Sequence, residues 1–305
     1  MTDRVLVVGA AGRFGRAAAE AFATSGWEVH ALTRDGSRVP EGCAAHAGDA
    51  GDPARLSALA AGCGVIVHAA NAPYPDWPQA VPAFTRATLA AARASGATVL
   101  IPGNVYVFGR RMPEVLGPDT PHRADTRKGR LRAEMEAEFR AAAPEVRSIV
   151  LRCGDFLDPG RTGNWWDLVL AEKLAGGRFV YPGRRDAAHA WAWLEDAARA
   201  AVALAERRDT LPAFADIPFP GIAPTGDEMV AGLKTALGRS FRVARFPWPL
   251  IRLGAPFNPM FREIAEMRYL WDVPHRLDAG PLTAVLPGFE GLSEGEIYAR
   301  LAEAI

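Results

Sequence analysis

The stretch RVLVVGAAGRFG, residues 4–15, decides the fold. Val5 to Val8 form a continuous apolar run, as a strand buried on both faces requires. Gly9, Gly12 and Gly15 follow at three-residue spacing and open an Ala-rich helix over 14–26, with Gly26 as its expected C-cap. A glycine turn between a buried strand and a helix lets backbone approach a pyrophosphate. The helix N-terminus adds N–H donors and the positive end of its dipole. A tight turn with no ligand has the same spelling, so the rest of the chain must decide.

Outward from this stretch, strand and helix alternate. Strands are predicted over 28–34, 64–70, 97–104 and 147–154, and helices over 53–62, 81–96 and 127–143. This spacing implies an α/β fold: a doubly wound parallel sheet of Rossmann type, occupying residues 1–154 as an NAD(P)-binding domain. From Asp155 onward the chain is rich in Pro, Gly and Trp, and only 194–206 and 226–238 read clearly as helices. Residues 155–305 are expected to form a smaller substrate-binding lobe. It is partly interleaved, with part of 185–210 returning to the first domain.

Composition narrows the function classes. The 305 residues carry no net charge, which gives no reason to expect nucleic acid or an anionic membrane as partner. The longest apolar runs are strand-length, too short to span a bilayer. The N-terminus enters a strand with no leader ahead of it, so a cytoplasmic protein is expected. Cys43, Cys63 and Cys153 are widely spaced and the six histidines form no ligand motif, so no metal is expected.

The end of the second strand selects the cofactor. An NAD site places a carboxylate there for the ribose diol. Here Thr33 stands at that place, followed by Arg34, with Arg38 nearby and Arg13 inside the glycine loop. Guanidinium groups clamp a 2′-phosphate that a carboxylate would repel. The pattern favours NADP(H) over NAD(H), with ordinary surface arginines as the alternative. Asp35 complicates the pattern, but its side chain should point away from that of Arg34. Asp49, at the end of the third strand, either accepts from the adenine amino group or serves a turn.

VLVVGAAGRFG, AGDAGD, VIVHAAN, LRCGDFLDPG and HAWAWLEDAARAAVALAE, taken in order, resemble an extended or atypical short-chain dehydrogenase/reductase of the NAD-dependent epimerase/dehydratase group. The resemblance covers about residues 4–206 well and the remainder loosely. It implies a Rossmann domain with a C-terminal substrate lobe and a nicotinamide dinucleotide bound in extended form. Phe14 of the glycine loop and Ala69 and Ala70 of VIVHAAN join the implied cofactor set, and a homodimer through helices flanking the sheet is a further implication.

In that group a Ser or Thr and a Tyr-x-x-x-Lys helix carry the chemistry, and this sequence departs from both. Asn104 falls where the hydroxyl residue would stand. In one register of ADTRKGRLRAEMEAEF (124–139), Thr126 takes the Tyr position and Arg130 the Lys position. Neither can move a proton near neutrality. In a second register, KGRLRAEME resembles the lysine helix of the isoflavone-reductase branch, and Lys128 is the matching residue. Lys occurs only at 128, 173 and 234 in a chain that otherwise writes its cations as Arg. A solvent-facing Lys128 is the plain alternative. Tyr106, two residues past Asn104, is a second candidate acid or a packing residue. Trp165 and Trp166 are candidate substrate-wall residues, with Trp191 and Trp193 behind them, or simply core.

The expected activity is NADPH-dependent reduction of a small carbonyl or related unsaturated substrate. Two alternatives stay open: a nucleotide-sugar epimerase or dehydratase with tightly held cofactor, and a non-catalytic NADP(H)-binding redox sensor. No arginine constellation in the sequence is assigned to a sugar-nucleotide diphosphate, and Arg152, Arg161 and Arg184 stay open for that role.

Overall fold

A computed structural model describes residues 3–160 and 162–305. Strand β1 (Arg4–Val8) lies in the interior of a seven-stranded parallel sheet. Beside it on one side run β2 (Glu28–Thr33) and β3 (Ala44–Ala47). On the other side run β4 (Val65–His68), β5 (Thr98–Gly103) and the strands Ser148–Arg152 and Phe214–Pro218. The chain leaves β1 for β2 in one direction and returns to β4 on the opposite flank. The crevice above β1 is therefore the switch point at which such sheets hold ligands.

Helix α1 (Arg13–Thr24) buries Phe14, Gly15, Ala18, Ala19 and Phe22. It packs against α5 (Leu194–Glu206), whose inner face is Ala197, Ala200, Ala201 and Leu204. Alanine on both faces brings the two helices close together. The opposite face of the sheet carries α2 (Pro53–Ala60), α3 (Trp77–Ser95) and α4 (Arg127–Ala141). Helix α3 starts at Trp77, ahead of the expected residue 81. Pro78 is tolerated in a first turn, and Pro82 forfeits one helix bond without ending the helix. Its end is as read: Gly96 caps it at φ 73°.

The strand Phe214–Pro218 has no counterpart in the sequence reading. Its segment, PAFADIPFP, is interrupted by prolines that argue against a strand, and it survives at the sheet edge, where missing donors matter least. The C-terminal part also holds α6 (Gly226–Leu237), α7 (Trp248–Gly254) and α8 (Pro259–Glu266). Two short parallel pairs, Asp155–Leu157 with Trp191–Trp193 and Arg178–Tyr181 with Arg242–Arg245, complete its framework. Its core is aromatic, with Trp166, Phe179, Tyr181, Trp191, Trp193 and Trp271 among the buried residues.

Candidate active site

The three glycines of the loop are held for different reasons. Gly9 has φ 89°, and a Cβ there would meet Ala70 Cα at 2.6 Å. A Cβ on Gly15 would lie 2.2 Å from the Gly9 carbonyl oxygen. Both positions are demanded by the fold itself. At Gly12 a Cβ would meet only the Gly9 carbonyl at 3.2 Å and the Ala69 carbonyl at 3.9 Å. Gly12 is also the N-cap of α1, with no side chain capping the helix. Protein packing thus constrains Gly12 less than Gly9 or Gly15, and a side chain there would also obstruct the space beyond the helix N-terminus.

At the end of β2, Thr33 is 4% exposed and its hydroxyl is buried without a hydrogen-bond partner. A lone buried hydroxyl beside the glycine loop fits a dinucleotide ribose. Arg34 is exposed and makes no ion pair or hydrogen bond among the described residues. Asp35 accepts from the Ser37 amide (2.9 Å) and hydroxyl (2.7 Å). Those bonds hold its carboxyl below the usual range. Arg13 reaches across to Thr162, donating from Nε to the hydroxyl at 3.0 Å. Asp49 accepts from the Gly51 amide at 2.8 Å, the turn use weighed above, and borders a shallow depression with Pro75, Gln79 and Phe84.

Asn104 ends β5, and its Oδ1 accepts from the Tyr106 amide at 3.0 Å, fixing a one-turn helix over Val105–Phe108. The Asn104 Nδ2 is left as a donor with no partner among the described residues. Tyr106 is 9% exposed, its hydroxyl adjoining that of Tyr74. Burial, then the Tyr74 phenol and the Asp155 charge, push the Tyr106 phenol well above its usual value. It is a neutral donor rather than a ready acid.

The lysine helix corrects the expectation made for it. Thr126 is the N-cap of α4, its hydroxyl accepting from the Gly129 amide at 3.1 Å. Lys128 is neither in solvent nor open to a cofactor. It is fully buried, and its ammonium donates to Glu263 Oε2 (2.7 Å), the Glu263 carbonyl (2.9 Å) and Glu266 Oε2 (3.0 Å). All three donors are therefore engaged by α8, and the Tyr74 ring lies 5.1 Å away. Lys128 ties α4 to the C-terminal part of the chain. Arg130 is exposed.

Trp166 is also placed differently from a ligand wall: it is 4% exposed and packs against Phe179 in the core. Trp165 is half-buried among Phe246, Trp248 and Trp271. Trp191 and Trp193 are both buried. Two residues that the sequence reading quoted only inside longer motifs meet at this end of the sheet. The ring of His189, from HAWAW, lies with Nε2 3.0 Å from Oδ2 of Asp155, from LRCGDFLDPG. Phe156, next in the chain, stacks on Phe14 of the glycine loop at 5.8 Å between ring centroids.

Among the arginines considered as diphosphate ligands, Arg152 is fully buried and bound to Glu136, Asp216 and the Asn104 carbonyl. The same guanidinium pairs with two members of the His122, Glu136 and Asp216 cluster, Glu136 and Asp216, and balances their charge. Arg184 is exposed and paired with Asp186, and Arg161 lies outside the described residues.

Residues 5–217 match the NAD dependent epimerase/dehydratase family. The chain belongs to this family. Its members depend on a nicotinamide dinucleotide, and the seven-stranded parallel sheet is Rossmann-like. The chain is 33% identical over 224 residues to the 3-diazoavenalumate denitrifying reductase of a Streptomyces species, covering 68% of this chain and 73% of the relative. Among solved structures it resembles MoeE5 in complex with UDP-glucose and NAD, with TM-score 0.77, 20% identity and coverage of 99% and 98%. It also resembles a UDP-galactose 4-epimerase, with TM-score 0.75, 17% identity and coverage of 99% and 98%. The dTDP-glucose 4,6-dehydratase DesIV of Streptomyces venezuelae, with NAD bound, gives TM-score 0.74 at 18% identity, covering 99% and 96%. At these identities the solved structures speak for the fold alone. Among the described residues no helix is long and apolar enough to cross a membrane.

Proposed function

We propose that the chain is an NADPH-dependent reductase of a small carbonyl or related unsaturated compound. The single observation that carries the choice of reductase is the relative at 33% identity, itself named a reductase. The site supports it by what it spends internally. Arg152 is consumed within the core and Arg184 in a surface pair, which leaves neither for a sugar-nucleotide diphosphate.

The dinucleotide, when bound, supplies hydride. Gly9, Gly12 and Gly15 would hold its pyrophosphate at the α1 N-terminus, Thr33 its ribose, and the unpaired Arg34 its 2′-phosphate. The Asn104 amide nitrogen would orient the substrate's acceptor atom. The relative's substrate is a diazo compound, and a diazo group that departs as dinitrogen takes hydride with no proton placed on oxygen. Aryl diazo compounds therefore belong beside aldehydes and ketones as candidates.

Purified protein with a panel of these compounds tests the proposal. Net NADPH consumption with at least one, by freely exchanging cofactor, is the expected result. Cofactor that stays bound through purification, with conversion of a UDP- or dTDP-sugar and no net oxidation, would replace this reading with the epimerase. Reversible NADPH binding with no turnover at all would favour the sensor.

A further inference from the structure

His189 is 2% exposed and lies flat on Trp271, with ring centroids 4.3 Å apart and planes at 12°. Its Nε2 faces Asp155 Oδ2 at 3.0 Å and its Nδ1 faces the Leu270 carbonyl at 3.2 Å. Both neighbours are oxygens of the accepting kind. A neutral imidazole has one N–H, while a carboxylate and a carbonyl have none to offer. Every contact is therefore a hydrogen bond only when the pair holds one proton more than a neutral imidazole plus a carboxylate. That state is either imidazolium beside carboxylate, or neutral imidazole accepting from a carboxylic acid. In a setting as closed as that of His189 an unmade bond of this kind is costly.

The pair is also placed to use that proton. His189 is sealed in, whereas the Asp155 side chain is 19% exposed, and its second oxygen has no partner among the described residues. The Asp155 charge acts on the phenols of Tyr74 and Tyr106, raising both, and its neighbour Phe156 stacks on Phe14 of the glycine loop. The other ionisable groups around the pair do not compete for the role. The His275 ring lies 4.8 Å from that of His189 and is held near pKa 3 by burial, then by the charge of His189, so it is neutral. Tyr74 and Tyr106 are pushed up by burial and stay protonated. Lys128, beyond the Tyr74 ring, is bound to Glu263 and Glu266.

We propose that Asp155 and His189 form a proton store that replaces the missing tyrosine and delivers its proton from Asp155 to the substrate. This rests on the reductase reading. The substrate gains hydride at carbon and a proton at its oxygen or nitrogen. The pair is left as neutral imidazole and carboxylate and takes a proton back from water at the exposed edge of Asp155. Substrate, NADPH and one proton become reduced product and NADP⁺, which balances.

The test is ¹⁵N NMR of the histidine rings in the full-length protein, with and without NADP⁺, across pH, beside turnover on a carbonyl substrate. In the wild type, His189 is expected to show a stored proton near neutrality: two N–H groups, or Nδ1–H with Nε2 accepting a strong bond from Asp155. In Asp155→Asn it reverts to an ordinary neutral ring, and kcat falls about 100-fold, as loss of acid assistance predicts, with KM within about threefold. Asp155→Glu should restore part of the rate. A wild-type ring that is neutral with its single N–H at Nε2 overturns the proposal, as does an Asp155→Asn enzyme with an unchanged rate and pH profile. NADPH consumption by the wild type tests the reductase reading separately, because the ring's protonation is read without turnover.

Discussion

Replacing Lys128 by methionine should cost the protein stability and leave its chemistry nearly intact. The ammonium is fully buried, with side-chain exposure of 1% for Glu263 and 17% for Glu266. Removing one partner of a buried ion pair costs about 3–5 kcal/mol, because the other charge is left uncompensated. Arg127 still pairs with Glu263 in the variant, so Glu266 is the carboxylate left without a cation. The low end of the range, about 3 kcal/mol, is therefore expected. In a chain of this size that lowers Tm by about 5 °C.

The sign of the pH dependence follows from Glu266. Burial by itself raises its carboxyl, and the bonds from Lys128 override that and hold it below the usual range. The tie therefore contributes fully above the ordinary carboxylate pKa and fades as pH falls through the depressed value, so the variant and the wild type should converge in acid. Thermal and urea unfolding at pH 7 and pH 4, with a Lys128→Met/Glu266→Gln cycle, measure it. The cycle should show coupling of about 1–3 kcal/mol. A Lys128→Met protein with unchanged Tm and turnover reduced 100-fold would refute the reasoning and return Lys128 to the reaction.

Other expectations follow from the same geometry. Gly12→Val should keep the fold at a small cost in stability and lose dinucleotide affinity, whereas Gly15→Ala should damage folding, because its Cβ would lie 2.2 Å from the Gly9 carbonyl; circular dichroism and fluorescence titration distinguish the two. Arg34→Ala should weaken NADPH by about tenfold or more and leave NADH nearly unchanged, and equal losses would assign Arg34 to the fold instead. His68 and His275 are both held near pKa 3, chiefly by burial. Each stays neutral in the folded protein while the unfolded chain takes up protons below about pH 6.5. Stability should fall by roughly 1.4 kcal/mol per pH unit for each histidine as pH drops from about 6.5 toward 3. A flat profile of Tm against pH in that window would contradict the burial argument.

The nucleotide-binding half was legible in the sequence because its signals are local. The apolar run, the three glycines and the next helix lie within a few residues of one another, and each constrains backbone directly. The site's remaining chemistry is not local. Lys128 meets Glu263 across 135 residues, and Asp155 meets His189 across 34. The scarcity of lysine flagged residue 128 as special but could not say that α8 would neutralise it. Burial and partner count decide whether such a group reacts or ties elements together, and neither is written in the helix that carries it. His189 and Asp155 were quoted inside motifs, yet only the pairing of Trp191 with Asp155 in adjacent strands brings their side chains together.

The most direct test of the account follows deuterium from NADPH labelled at C4 of the nicotinamide, with the substrate that gives the fastest turnover in the panel. The account predicts one deuterium in the product for each NADP⁺ formed, read by mass spectrometry. Substrate conversion with the label retained on the cofactor, and no net NADP⁺, would contradict it.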